Sequence, residues 1–129
     1  NIDMQMQLAL VHEMIEEEDM ALMIYQKLIE NSPRYLNGYL RKSTLLMKME
    51  LYKQALDLYK QVIKINPNYT KAYFNIALCL DKLGHSQEAK RYYHKFLKFS
   101  PQDEDANYVM KRVEHFKKLS SSSAKLSLV

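Results

Sequence analysis

Apolar residues recur along the chain at the spacing of helix faces. Tyr73, Ile76, Ala77 and Leu80 step by three, one and three, which makes one stripe of a helix, and Ala89, Tyr93, Phe96 and Leu97 make a second. This two-stripe pattern is repeated. Three runs, YQKLIENSP, YKQVIKINP and YHKFLKFSP, end at Pro33, Pro67 and Pro101, 34 residues apart, and these are the only prolines of the chain. Twelve residues before each proline stands an alanine (Ala21, Ala55, Ala89), eight before it a tyrosine (Tyr25, Tyr59, Tyr93), and five before it an apolar residue (Leu28, Val62, Phe96). One supersecondary unit, a pair of helices, is therefore written three times. With two glycines and three prolines in 129 residues, strand-turn punctuation is scarce, and the predicted class is all-α.

The recurring residues have physical tasks. Alanine lets neighbouring helices approach, tyrosine fills the gap beside it, and each proline stops a second helix and turns the chain into the next unit. A lone hairpin cannot cover both of its stripes, so the third needs a closing element. Residues 103–118 supply one: Asp103, Glu104 and Asp105 favour a helix start, Ala106, Met110, Val113 and Phe116 are its predicted stripe, and Lys117 and Lys118 lie at its end. Residues 119–129, LSSSSAKLSLV, are serine-rich without periodicity and are expected to form a flexible tail. If Val129 is a true C-terminus, Ser127, Leu128 and Val129 also resemble a ligand of PDZ domains.

A 34-residue period with an early aromatic, a small residue, an alanine followed four residues on by an aromatic, and a closing proline resembles the tetratricopeptide repeat (TPR). The third copy matches best, through Tyr73, Ile76-Ala77, Leu80, the turn residue Gly84, Ala89, Tyr93 and Pro101. The second carries Tyr39, Ser43, Leu46, Tyr52, Ala55, Tyr59 and Pro67 but has Lys42 in place of leucine and Glu50 in place of the turn glycine. The first has Gln5 for the aromatic, Leu8-Ala9 intact, His12 at a core position and Glu16 at the turn. The resemblance implies a right-handed superhelical α-α solenoid of three helix-turn-helix units, about 2–35, 36–69 and 70–103, and a capping helix, together a TPR domain over residues 1–118.

It also implies a concave surface, lined by the first helix of each unit, that receives a peptide or helix of a partner. Carried over residue by residue, that groove comprises Met6, Gln7 and Leu10, with Asp3 at its start; then Asn37, Leu40, Arg41 and Thr44; then Lys71, Phe74, Asn75 and Leu78; and Tyr108 and Arg112 from the capping helix. An apolar floor beside Arg41, Lys71 and Arg112 fits an amphipathic or extended segment with some acidic groups. Met6, with Met14 and Met47, adds adaptable surface. One TPR subclass grips chaperone C-terminal carboxylates with a set of lysines, asparagines and an arginine. Here Arg41 or Lys71 can be matched to that set, but Asn37 and Gln7, or Asn75, Arg41, Met6 and Leu10, interrupt it, so the clamp is incomplete.

Charge adds an alternative. Residues 1–32 hold seven acidic and one basic side chain, whereas the remainder is net basic within an overall charge of +4. The acidic beginning of one molecule could meet the basic later part of another, giving a homo-oligomer. The basic residues are not interleaved with aromatics along one strip, so nucleic acid is not an expected partner. No apolar run approaches the roughly 20 residues that span a bilayer, so membrane insertion is not expected. The single cysteine, Cys79, sits at a small-residue core position, and one cysteine cannot make an internal disulfide, which points to the cytoplasm or another reducing compartment. His12, His85, His94 and His115 lack ligand spacing, and the acidic run Glu16 to Asp19 lacks a calcium-loop glycine. No phosphate-cradling loop, metalloprotease motif or nucleophile elbow occurs, so the chain reads as a protein-interaction scaffold or adaptor without cofactor, and not as an enzyme. Starting with Asn rather than Met, it also reads as an excised piece.

Overall fold

A computed structural model describes the backbone of residues 1–127 and the side-chain surroundings of residues 1–121. The described residues form seven helices: α1 (Ile2–Met14), α2 (Glu18–Asn31), α3 (Leu36–Lys48), α4 (Tyr52–Ile65), α5 (Lys71–Lys82), α6 (Ser86–Phe99) and α7 (Ala106–Ser127). No strand occurs among the described residues. The chain forms two compact units, one of Asn1–Asn68 with the hairpins α1-α2 and α3-α4, the other beginning at Tyr69 with the hairpin α5-α6 and α7.

In the first unit, the repeat residues Ala21, Tyr25 and Leu28 of α2 are fully buried and meet Met6 and Ala9 of α1 and Leu45 of α3. In the second, Ala89, Tyr93 and Phe96 of α6 are fully buried, as are Ile76 and Ala77 of α5 and Val109 of α7. Full burial of the large apolar side chains among them, such as Leu28, Leu45, Ile76 and Phe96, stabilises each unit by about 1.5–3 kcal/mol per residue.

Each hairpin turn is built alike. After α1, α3 and α5 the chain places Glu16 (φ 62°), Glu50 (φ 60°) and Gly84 (φ 86°) in the left-handed region. The next amide then returns to the helix: Glu17 N–H donates to His12 O at 2.8 Å, Leu51 N–H to Leu46 O at 2.9 Å, and His85 N–H to Leu80 O at 2.8 Å. This is the Schellman closure, in which glycine is the residue without a Cβ penalty. The two glutamates adopt the glycine conformation at a steric cost. Glu50→Gly is therefore expected to raise the unfolding free energy by about 1 kcal/mol, and Gly84→Ala to lower it by about as much. Denaturant titration of both variants checks the opposite signs.

Three sequence expectations change. Helix α7 starts at Ala106, after a turn in which Asp105 N–H donates to Asp103 Oδ1 at 2.9 Å, and it runs on to Ser127, so the backbone of 119–127 is helical where a flexible tail was expected. No glycine or proline interrupts this stretch. Its buried stripe is Ala106, Val109, Val113 and Phe116, with Met110 48% exposed, because steps of three and four keep Val109 rather than its neighbour on the inner face. Residues 128 and 129 of the PDZ-like ending lie outside the described residues.

Candidate partner-binding site

The residues carried over to the groove are best described unit by unit. On α1 and α3, Gln7, Asn37, Arg41 and Thr44 are exposed, Leu10 and Leu40 are half-buried, and Met6 is sealed into the core at 9% exposure. Asp3 is exposed, in the first turn capped by Asn1, whose Oδ1 accepts from Asp3 N–H at 2.8 Å. Thr44 Oγ1 donates to its own helix, to Leu40 O at 2.9 Å. Arg41 forms no ion pair among the described residues. Among these residues of the first unit Arg41 is thus the one cation, and Leu10 and Leu40 are half-buried.

In the second unit the expected cations are already occupied. Lys71 Nζ lies 2.6 Å from Asp103 Oδ1 and 2.6 Å from Asp105 Oδ2, and 5.5 Å from the ring centres of Phe74 and Phe96. Burial alone would lower the Lys71 pKa, but the two carboxylates outweigh it and hold the ammonium above its ordinary value. Arg112 makes a fork on Asp81, Nε to Oδ2 at 2.6 Å and Nη2 to Oδ1 at 2.7 Å, and its guanidinium stacks 4.6 Å from the Phe116 ring centre. Neither cation is an open anchor for a ligand carboxylate, because the acidic partners come from the neighbouring helix and its approach. Phe74 is also corrected: at 9% exposure it packs on Phe96 at 5.3 Å and Tyr93 at 6.5 Å and belongs to the core more than to a floor. Tyr108, 48% exposed, meets Phe74 edge-on at 6.1 Å, while Asn75 and Leu78 are half-buried.

Two features escaped the sequence reading. The tyrosine of the first hairpin, Tyr25, donates its hydroxyl to Glu13, and that of the third, Tyr93, to Asp81 at 2.9 Å. In each case the carboxylate stands twelve residues earlier, on the first helix of the hairpin. Burial, followed by the adjoining carboxylate, pushes both phenols above their ordinary pKa. The twelve-residue offset was visible, but Met47 interrupts it in the second hairpin. Rings and cations also meet in a further place beside the Lys71 and Arg112 pairs. Lys95 Nζ lies 5.7 and 5.4 Å from the Tyr73 and Tyr92 ring centres, and those rings stack on each other at 6.3 Å.

Of the remaining chemistry, Cys79 is fully buried and burial pushes its thiol up to about 12. His12 Nδ1 lies 2.7 Å from Glu17. At the substituted core position, Lys42 reaches across to α2, its Nζ donating to Gln26 Oε1 at 2.6 Å. No metal-holding group of three or more ligands occurs among the described residues, and none of their helices is long and apolar enough to cross a membrane.

Sequence comparison decides the family to which the three like hairpins belong. The tetratricopeptide-repeat family model matches residues 46–113, more than half of the chain. The chain belongs to the tetratricopeptide-repeat family. No curated protein matches it in sequence. Among solved structures, the TPR fold is similar to the first TPR of Spaghetti (RPAP3), solved bound to an HSP90 peptide, at 19% identity and a TM-score of 0.78 over 90% of this chain and 93% of that one. It is similar to the type III secretion translocator chaperone SycD of Yersinia enterocolitica, in an alternative dimer, at 16% identity and 0.80 over 92% and 93%. A crystal structure of MamA matches at 25% identity and 0.71, over 84% of this chain and 58% of that one.

Proposed function

We propose that the chain is a non-catalytic interaction module that holds an extended or helical segment of a partner protein against the first-helix face of its N-terminal unit. The observation that carries this reading is the state of that face. Gln7, Asn37, Arg41 and Thr44 are exposed around half-buried Leu10 and Leu40, and Arg41 is left without an ion pair among the described residues. Side chains that the core does not consume, arranged as polar groups about an apolar base, are what a peptide site needs. Family membership supports the same class, and the Spaghetti domain of similar fold was solved with a peptide bound. The ligand that suits this face is an amphipathic segment with one acidic group near Arg41. A grip on a terminal carboxylate by several cations is a poorer fit, because Lys71 is committed to Asp103 and Asp105.

Selection from a displayed library of random peptides tests the reading. Peptides with an acidic residue beside an apolar one should be enriched, and Leu40→Glu and Arg41→Glu should each weaken their binding by at least about tenfold with helicity unchanged. Enriched peptides that bind both variants as well as the parent would sink the proposal. Phe74 is unsuitable as a test position, since a charge there strikes the core.

A further inference from the structure

Helix α1 is apolar on two sides. One side carries Met6 and Ala9 into the core, and on the other Met4, Leu8, Val11 and Ile15 form a stripe that is 72%, 50%, 49% and 57% exposed. Single exposed leucines are ordinary, but four large residues in register along a helix mark a contact surface. The repeat says what kind. Thirty-four residues later the same positions are Gly38, Lys42 and Leu45 of α3 and Met49 at its C-cap, and all four turn to α2. A Cβ on Gly38 would stand 3.5 Å from Ile29, Lys42 bonds to Gln26, Leu45 is 1% exposed among Ala21, Tyr25 and Leu28, and Met49 packs on that cluster. The face that α3 covers with a helix, α1 leaves open.

We infer that α1 of a second copy covers it, the two helices running antiparallel about a two-fold axis. The stripe advances by four, three and four residues, the spacing of a coiled-coil seam. The positions flanking that seam are Gln5 and His12 on one side and Gln7 and Met14 on the other. The glutamines and the methionine carry no charge, and His12 is turned to Glu17 at 2.7 Å. Along the flanks of the seam identical helices therefore meet without like-charge repulsion, and no flanking charge selects an unlike partner. Direction follows from the acidic run Glu16 to Asp19 at the end of α1. Parallel helices would bring two such runs together, whereas antiparallel ones set each beside the N-terminal turn of the other helix, where Asp3 is the one acidic residue. In this register Met4 lies against the partner's Ile15 and Leu8 against the partner's Val11. The contact is apolar, unlike an association of acidic with basic ends, and of the residues of the proposed peptide face it involves Gln7 alone.

Sedimentation equilibrium of the 129-residue chain, from micromolar to millimolar concentration and at low and high salt, tests the inference. The expected result is a dimer that persists at high salt, with a dissociation constant raised by more than about 100-fold in Leu8→Glu/Val11→Glu. Leu8→Gln/Val11→Gln serves if the charged pair reduces helicity. A parent chain monomeric throughout, a dimer that salt dissociates, or a dimer that tolerates both variants overturns it. Orientation is read from disulfides formed under mild oxidation, with buried Cys79 a silent background. Met4→Cys mixed with Ile15→Cys should cross-link, while Met4→Cys alone should not, because its two sulfurs would start about 16 Å apart along the axis. Cross-linking of Met4→Cys with itself overturns the antiparallel arrangement.

Discussion

Phe96→Ala is expected to lower the unfolding free energy by about 4 kcal/mol, whereas Phe99→Ala, three residues later on the same helix, should cost less than about 1 kcal/mol. Phe96 is fully buried, its ring 5.3 Å from that of Phe74, and Lys71 Nζ sits 5.5 Å above it. Truncation removes the transfer energy of the ring and leaves a cavity that α5 and α6 can collapse into only partly. It also takes one wall from Phe74 and from the Lys71 ammonium. Phe99 is 56% exposed and its loss opens surface already in water. Guanidinium titrations followed by circular dichroism measure both. Equal effects would mean that the second unit is not organised around the ring of α6, and the account of Phe74 as core would fall with it.

This contrast also locates what the sequence could and could not disclose. Three prolines at one interval, with alanine and tyrosine at set distances before each, were enough to place six helices and the turns between them. The turn positions were legible to the residue, since Glu16 and Glu50 occupy the slot of Gly84 and adopt its left-handed backbone. The groove was less legible. Its positions can be counted out along each first helix, but whether a cation there faces solvent depends on a carboxylate about one repeat away. Lys71 meets Asp103 and Asp105, 32 and 34 residues on, and Arg112 meets Asp81, 31 residues back. A reading one repeat at a time treats such a residue as surface. Phe74 and Met110 failed for a related reason: a boundary position on a helix is settled by a neighbouring ring or by a one-residue rotation, and periodicity does not resolve either. The exposed stripe of α1 was hidden in plain sight, because a helix apolar on two sides has no dominant face to read.

The Asp81 cluster joins these strands, and Asp81→Ala is expected to cost about 3 kcal/mol although it deletes only three heavy atoms. The Asp81 side chain is 10% exposed and accepts from Arg112 Nε, Arg112 Nη2 and the Tyr93 hydroxyl at 2.6, 2.7 and 2.9 Å. Its removal strands a guanidinium whose side chain is 31% exposed and takes from the hydroxyl of fully buried Tyr93 one of its two side-chain partners, leaving Tyr108. The loss is thus the penalty for unpaired groups more than the worth of the pair, so Asp81→Ala/Arg112→Met should recover part of it. The pH dependence separates charge from shape. Burial alone would raise the Asp81 pKa, but the hydrogen bonds from Arg112 and Tyr93 outweigh it and hold the folded value below that of the unfolded chain. Stability from such a group is present above the ordinary carboxylate pKa of about 4 and is lost as pH falls through the lower folded value. The parent should lose more stability than Asp81→Asn between about pH 5 and pH 2, the two curves drawing together in acid. Asp103, held low first by its hydrogen bond to Lys71, titrates with the same sign in both proteins and cancels from the difference. A gap between parent and Asp81→Asn that stays constant with pH would assign the effect to packing, and the ionised Asp81 would no longer explain how α7 closes the last hairpin.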